Sequence, residues 1–426
     1  MTKLPGMRWW IIGLIGVATV INYVDRSSLS IMWPAISKDT GLSKESYASV
    51  VAVFMVCYAV GQAVSGRLFD RIGTRLGFVL SIFVWSCACA LHSVARTAFS
   101  LAAVRGLLGV SEAGNWPGAT KAVAEWFPRQ ERALAQGIFN AGASLGAVVS
   151  APLIALLFAL VGWRATFVVI GLLGFLWILP WWFLARSTPE AHPWVTPEER
   201  THILGGAGPG PAAMAAPAMS WAEALGHRET WAVVVSRFFL DPIWWLFVNW
   251  LPIYLVERFQ FDVKQIGLFA WVPYLGAAIG SLSGGWVSGY WISNGWSVDR
   301  ARKRAILLGA LMTVPGFVLA AYAATPVLAV LTIALVLCGF QVMINNIQTL
   351  PSDFYSGRSV GTVAGIGGMS AVFGVLVFST WLVPALTRVS YMPVFFLGAA
   401  LVPLAVGAVH LLAPEIRRVD RLPDAS

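Results

Sequence analysis

The sequence predicts an all-α membrane protein of twelve transmembrane helices in two six-helix, pseudo-symmetric halves, and three observations carry that expectation. Of 426 residues, 58% are hydrophobic and 12% charged, where a soluble domain carries about 25% charged residues. Twelve apolar stretches each approach the roughly 20 residues that cross a bilayer. A single long polar connection falls near the middle of the chain. With 21 Trp, 24 Phe and a mean hydropathy of +0.73, most of the surface faces lipid, which excludes a soluble globular protein.

The crossings are expected at about 9–35, 46–68, 76–95, 98–124, 133–160, 163–186, 230–256, 265–291, 304–323, 326–350, 359–385 and 391–413. The first begins like a secretory signal, with Lys3 and Arg8 ahead of an apolar run. It continues into Asn22-Tyr23-Val24-Asp25-Arg26 without a small-x-small cleavage pattern, so it reads as a retained helix. Residues 1–186 form the first half, 187–229 a cytoplasmic linker loop and 230–426 the second half. In the linker, Thr196 and Glu199 make a capping box that starts a short surface helix, and the Gly/Ala/Pro run from Gly205 to Pro217 reads as flexible. Gly66 at the end of the second span and Gly285 at the end of the eighth open weakly similar motifs 219 residues apart. Parallel repeats of that kind place a transporter's site between the halves.

Twelve crossings put both termini on one side. Of the 29 Lys and Arg, 19 fall in loops on the terminal side, 7 on the other and 3 within spans. By the positive-inside rule the termini are cytoplasmic, in a bacterial inner membrane. The net charge of +9 is thus sorted by topology rather than gathered into a nucleic-acid patch. Cys57, Cys87, Cys89 and Cys338 lie in apolar runs and read as small buried hydrophobes. The five histidines are scattered, with no HExxH pattern. No GxxxxGK[ST] loop occurs either, which argues against an ATP-driven pump and leaves no cofactor other than protons as the coupling ion.

Ionisable residues inside a span are costly and mark pathways. Asp25, Arg26, Arg105, Glu112 and Arg237 qualify. Arg105 and Glu112 stand about 700° apart on the helix, nearly two full turns, so they share a face and can line one cavity. Asn22 and Arg26, at i and i+4, sit together with Tyr23 to one side, and Asp25 points toward a different neighbour. A guanidinium fork suits a carboxylate, with Arg26 the first choice and Arg105 the alternative. Apolar surroundings favour protonated carboxyls, so Asp25 and Glu112 can each load a proton outside and release it inside. The competing reading makes Asp25–Arg105 and Glu112–Arg26 static helix ties. Hydroxyl partners for a polyhydroxylated substrate come from Tyr58, Asn140, Ser144 and, on one face at i, i+4 and i+8, Gln341, Asn345 and Thr349, against a bridging role for the same residues. Trp244 and Trp245 follow Pro242 and either stack on a sugar ring or pack. Asn115-Trp116-Pro117 sets a bend, with a substrate contact as the alternative, and Arg237 with Asp241 forms an internal pair.

Gly66-Arg67-Leu68-Phe69-Asp70-Arg71-Ile72-Gly73-Thr74-Arg75 resembles the loop motif between the second and third helices of the major facilitator superfamily. The first-helix run Asn22 to Arg26, Arg105 with Glu112, and Gly114 to Lys121 followed by Glu125-Trp126-Phe127-Pro128 resemble the anion:cation symporter family and its hexuronate transporter group. The likeness covers the whole chain and is strongest in the first half. It implies that the matching aspartate and glutamate carry protons and that the matching arginine and tyrosine bind substrate. In the motif, Gly66 permits close helix approach while Asp70, Arg71 and Arg75 make charge contacts that latch the cytoplasmic face; the alternative is a basic loop that only fixes topology. The second half departs, with Gly289 where Asp70 corresponds. The expected protein is a monomeric proton-coupled symporter of a sugar acid anion, a hexuronate first. An aldonate or other small carboxylate is the alternative, and a non-transporting anion receptor a third reading.

Overall fold

The computed structural model describes residues 5–186, 188–205, 219–262, 265, 269–355 and 357–419. The first crossing is a helix over Met7–Thr40, closed by Gly41 in the left-handed conformation. Two helices are too long for one crossing. Lys44–Leu91 and Arg132–Leu184 contain 48 and 53 residues, or about 70–80 Å at 1.5 Å per residue, against a hydrocarbon core of about 30 Å. Each turns back at a glycine, Gly73 at φ 81°, ψ 165° and Gly162 at φ 75°, ψ 169°, a region essentially open to glycine alone. They supply the second and third crossings and the fifth and sixth.

The fourth crossing is broken into Ala98–Glu112 and Asn115–Trp126. Pro117 has no N–H, so the carbonyl of Ala113 four residues back loses its helical partner, and the break leaves Glu112 at the end of a helix. In the second half the crossings are Arg228–Phe259, Val272–Ser293, Val298–Ala321, Pro326–Phe354, the run Val360–Val375 with Leu376–Leu382 and Val383–Thr387, and Met392–Leu412. Leu376–Leu382 is a π-helix. Among the described residues, eight helices are long and apolar enough to cross a membrane. Splitting two of them at their glycines gives ten, and the broken fourth and the glycine-rich eighth complete the twelve.

Polarity is inverted relative to a soluble protein. Phe99, Leu160, Trp381 and Leu411 are exposed, whereas Asp25, Glu112, Asn345 and Asn346 are buried, as expected where lipid is the solvent. Buried apolar side chains gather in two clusters. One draws on residues 7–203 with Val372, the other on residues 224–416 with Tyr23, Ala124 and Ala143. The halves meet where the second crossing packs on the eleventh and the fifth on the eighth. At these seams a Cβ on Gly66 would strike the carbonyl of Gly361, and one on Gly285 that of Ala133, so backbones touch as small residues allow.

The first described segment is tied to the linker and the last to the end of another crossing. The amides of Met7 and Arg8 donate to the Glu199 carboxylate at 3.0 and 3.1 Å, and Val419 N–H donates to Phe354 O at 2.9 Å. The linker helix starts at Pro197 with Glu199 N–H bonded to Thr196 Oγ1. The expected reciprocal bond of a capping box gives way to the first crossing, whose free amides draw the Glu199 side chain. A second linker helix, Trp221–Leu225, carries a full box through Ser220 and Glu223. Most of the Gly/Ala/Pro run, 206–217, lies outside the described residues, as do Lys3, Lys264 and Arg421.

The turn at Gly162 has open space around it, so an added methyl meets only backbone strain. Gly162→Ala should therefore lower the melting temperature of the detergent-purified protein, reflecting about 1–3 kcal/mol. Gly13→Ala, in an open helical position, should leave it unchanged or raise it. Equal melting of Gly162→Ala and the parent protein would show that the turn does not rely on that conformation.

Candidate functional site

The spanning charges converge at mid-bundle. Arg26 Nη2 lies 3.3 Å from Glu112 Oε2 and donates to Asn22 Oδ1, also at 3.3 Å. Its guanidinium sits 4.6 Å from the Tyr58 ring centroid, 5.2 Å from Trp245, 5.4 Å from Phe54, 5.6 Å from Tyr23 and 6.0 Å from Trp116. Rings from four crossings thus present their faces to one cation. Asp25 points away from Arg26, as the helical advance requires, and accepts from Cys89 Sγ at 3.3 Å. One oxygen of each buried carboxylate, Asp25 Oδ2 and Glu112 Oε1, has no hydrogen-bond partner among the described residues. Arg105 donates to the backbone oxygen of Arg26 at 2.6 Å and lies over the Phe54 ring.

Between the halves lies a small cavity of about 60 Å³, below the roughly 300–1,000 Å³ of an occupied small-molecule site, so a sugar acid enters only as the walls part. Tyr23, Arg26, Tyr58, Asn140, Gln341, Trp244 and Trp245 border it, as do Gln62, Trp116, Arg237, Asp241 and Gln348. Trp244 Nε1 donates to Tyr23 Oη at 2.9 Å and its ring stacks near Phe340. Asn140 Nδ2 donates to Asn345 Oδ1 and Gln348 Oε1, both at 2.7 Å. Three polar atoms of the lining remain unpartnered among the described residues: Arg26 Nε, Gln62 Oε1 and Gln341 Oε1. The lining residues thus hold one cationic donor and two amide acceptors in reserve, a set that matches a carboxylate and hydroxyls.

Several expectations need correction. Arg105 and Glu112 share a face, yet neither borders the cavity; Glu112 reaches it through Arg26, and Arg105 is held against the first crossing. Asp25 and Arg105 make no ion pair among the described residues. Asn345 stands behind the lining because its amide donates to Ser281 O at 2.7 Å. Thr349 bonds to Asn346 O, and eight residues past Gln341 it is rotated about 80° from it, out of the cavity wall. Gln62 and Gln348 were missed. Gln62 lies four residues after Tyr58 and Gln348 seven after Gln341, so helical spacing from residues already singled out was the available signal.

Below the cavity, toward the termini, two polar clusters seal the seam. Asp70 accepts from Gly361 N–H at 3.0 Å, Thr362 N–H at 2.6 Å and Thr362 Oγ1 at 2.7 Å, and pairs with Lys121 at 3.1 Å. A carboxylate here meets the amides and positive dipole end of the eleventh crossing. Its basic partner is Lys121 rather than Arg71 or Arg75. Arg71, one residue on, points outward and is exposed, and Arg75 donates to Trp182 O within the same half. In the second half Asp353 plays the corresponding part, 3.0 Å from Arg302 and 3.6 Å from Arg132. Arg132 also donates to Ser352 O at 2.6 Å and Arg302 to Arg129 O at 2.8 Å. Gly289 lets the eighth crossing press on the Gln130 carbonyl.

Comparison with known proteins agrees with this architecture. Residues 15–379 match the Major Facilitator Superfamily profile. The Hexuronate transporter of Escherichia coli (strain K12) is 30% identical over 397 residues, 93% of this chain and 91% of that protein. The Galacturonate transporter of Dickeya chrysanthemi is 32% identical over 319 residues, 74% of this chain and 92% of that one. The human organic anion transporter MFSD10 (TETRAN) superposes with a TM-score of 0.70 at 16% identity, covering 96% of this chain and 100% of the other; that likeness is one of fold.

The Asp70 cluster yields a direct expectation. Asp70→Asn loses the Lys121 pair and the charge on its acceptors, about 1.5–3 kcal/mol for bonds to a charged group. Hydrogen exchange of the peptide containing Gly361 and Thr362 should then speed up on the order of ten- to hundredfold. Unchanged exchange would mean that the seam is held elsewhere.

Proposed function

The chain belongs to the Major Facilitator Superfamily and is a multi-pass membrane transporter rather than an enzyme; we propose that it imports a sugar acid anion, a hexuronate first, together with protons. One observation carries this reading. Arg26 faces the cavity yet spends a single long contact, 3.3 Å, on Glu112. An incoming carboxylate, able to accept two parallel bonds from the guanidinium, competes favourably for it. Glu112, released into an apolar interior, is neutralised by a proton. Asp25 supplies the second proton site, and at both residues an unpartnered carboxylate oxygen supports a place for the proton.

The chemistry of the rest of the lining suits the cargo. Gln62 and Gln341 accept from hydroxyls, Asn140 is oriented by Asn345 and Gln348, and Tyr23, Trp244 and Trp245 offer flat apolar walls to a sugar ring. The two relatives reported for hexuronate and galacturonate support the substrate class. The basic excess at the end bearing the termini supports a cytoplasmic orientation in the inner membrane. Release inward requires that the Asp70 and Asp353 clusters both open as the halves rock. Both halves of one chain wall the cavity, so a monomer suffices.

An anion entering a negative-inside cell works against about 2.3 kcal/mol per charge per 100 mV, and two protons per monovalent anion reverse that sign. Uptake of galacturonate into vesicles should require an inward proton gradient and collapse with a protonophore. Accumulation without a gradient, or strict dependence on sodium, would overturn the coupling. In the same vesicles Glu112→Gln should lose concentrative uptake while keeping exchange. Arg26→Lys keeps the charge without the fork, and should weaken binding by about 1.5–3 kcal/mol; normal binding by Arg26→Lys alongside loss in Arg105→Lys would move the carboxylate site to Arg105.

A further inference from the structure

The proposed cycle leaves one pair of cavity charges unused. Arg237 and Asp241, four residues apart on the seventh crossing, both border the space that Arg26 borders from the opposite half. Arg237 Nη2 donates to Asp241 Oδ1 at 2.8 Å and Nε to Oδ2 at 3.2 Å. This is a bidentate pairing of fork with carboxylate, the arrangement in which arginine binds a carboxylic ligand. The protein's own side chain occupies the place that a ligand would take.

The two arginines of the cavity therefore differ in how firmly they are held. Arg26 meets its carboxylate through one long contact across two crossings, which a substrate can displace. Arg237 meets its own through two bonds on a single helix, where the spacing fixes both partners without further ordering. Tyr23 and Tyr58, whose rings lie 5.6 and 4.6 Å from the Arg26 guanidinium, line the same cavity as Arg237 and Asp241. A molecule that binds Arg26 from this cavity therefore shares it with the second pair.

We propose that Asp241 is an internal counter-carboxylate that holds the Arg237 fork and restricts the cavity to substrates with one carboxylate, and that Arg237 is a latent second anion site suited to the far carboxylate of a sugar dicarboxylate. The inference rests on the sugar acid reading above. Without Asp241 the cavity would offer two forks and one more positive charge; with it, a second substrate carboxylate meets both an occupied fork and a like charge.

The test uses the full-length protein in detergent and titration calorimetry with galacturonate, which has one carboxylate, and galactarate, which has two. In Asp241→Asn the ratio of the galactarate Kd to the galacturonate Kd should fall at least tenfold. Asp241→Glu should keep the parent ratio, and Arg237→Gln combined with Asp241→Asn should cancel the gain. An unchanged ratio in Asp241→Asn that still binds galacturonate overturns the proposal, as does an equal gain in the double variant. If Asp241→Asn fails to assemble, Asp241→Ser reads the same ratio. Failure of the parent protein to bind either acid, or an aldonate, is a different result, since it is independent of position 241 and removes the sugar acid reading and this inference together.

Discussion

Arg26 brings a full positive charge to the middle of an apolar bundle, where insertion alone costs about 2.5–3.5 kcal/mol. Much of the first half answers that constraint. Glu112 is available because Pro117 ends the upper piece of the fourth crossing beside it, and Asn22 sits one turn before Arg26 on the same face. Five aromatic rings cover the guanidinium, and one of them, Trp245, belongs to the other half. The cation is thus both the point where an anion can bind and a contact between the two bodies that must move. A change of partner at Arg26 is felt across the seam, as alternating access requires.

The two seals nearer the termini reach the same end with unlike chemistry. In the first half a carboxylate caps a helix, with Asp70 holding the amides of Gly361 and Thr362. In the second half the corresponding position is Gly289, and the charge has moved to Asp353 with Arg132 and Arg302 around it. A helix N-terminus attracts an anion through fixed dipoles, whereas a guanidinium cluster depends on side-chain geometry. The degenerate motif in the second half is therefore a substitution of one device for another, and the close backbone approach at Gly285 and Gly289 is what remains common to both.

The fold was legible in the sequence because lipid imposes a simple length rule, and the twelve apolar runs obey it. The first-helix geometry was equally legible: 100° per residue puts Asn22 beside Arg26 and turns Asp25 away, as found. Partners across helices were not. Nothing local tells that Asp70 faces Gly361, that Cys89 donates to Asp25, or that Lys121 rather than Arg71 completes the cluster, because these depend on which crossings touch. Arg105 shows the limit of a face argument. It lies on the face of Glu112, yet two turns away it meets the Arg26 carbonyl instead of the cavity. Thr349 fails for a related reason, since the helical drift over eight residues carries it off the wall.

The central claim is that a substrate carboxylate takes Arg26 from Glu112 and that Glu112 is then neutralised by a proton. The most direct measurement is proton uptake on binding, read with a pH indicator as galacturonate is added to the purified protein in weakly buffered detergent. The account predicts net proton uptake by the parent protein, and less in Glu112→Gln while that variant still binds. Binding with no proton taken up, or the same uptake in Glu112→Gln, would contradict it.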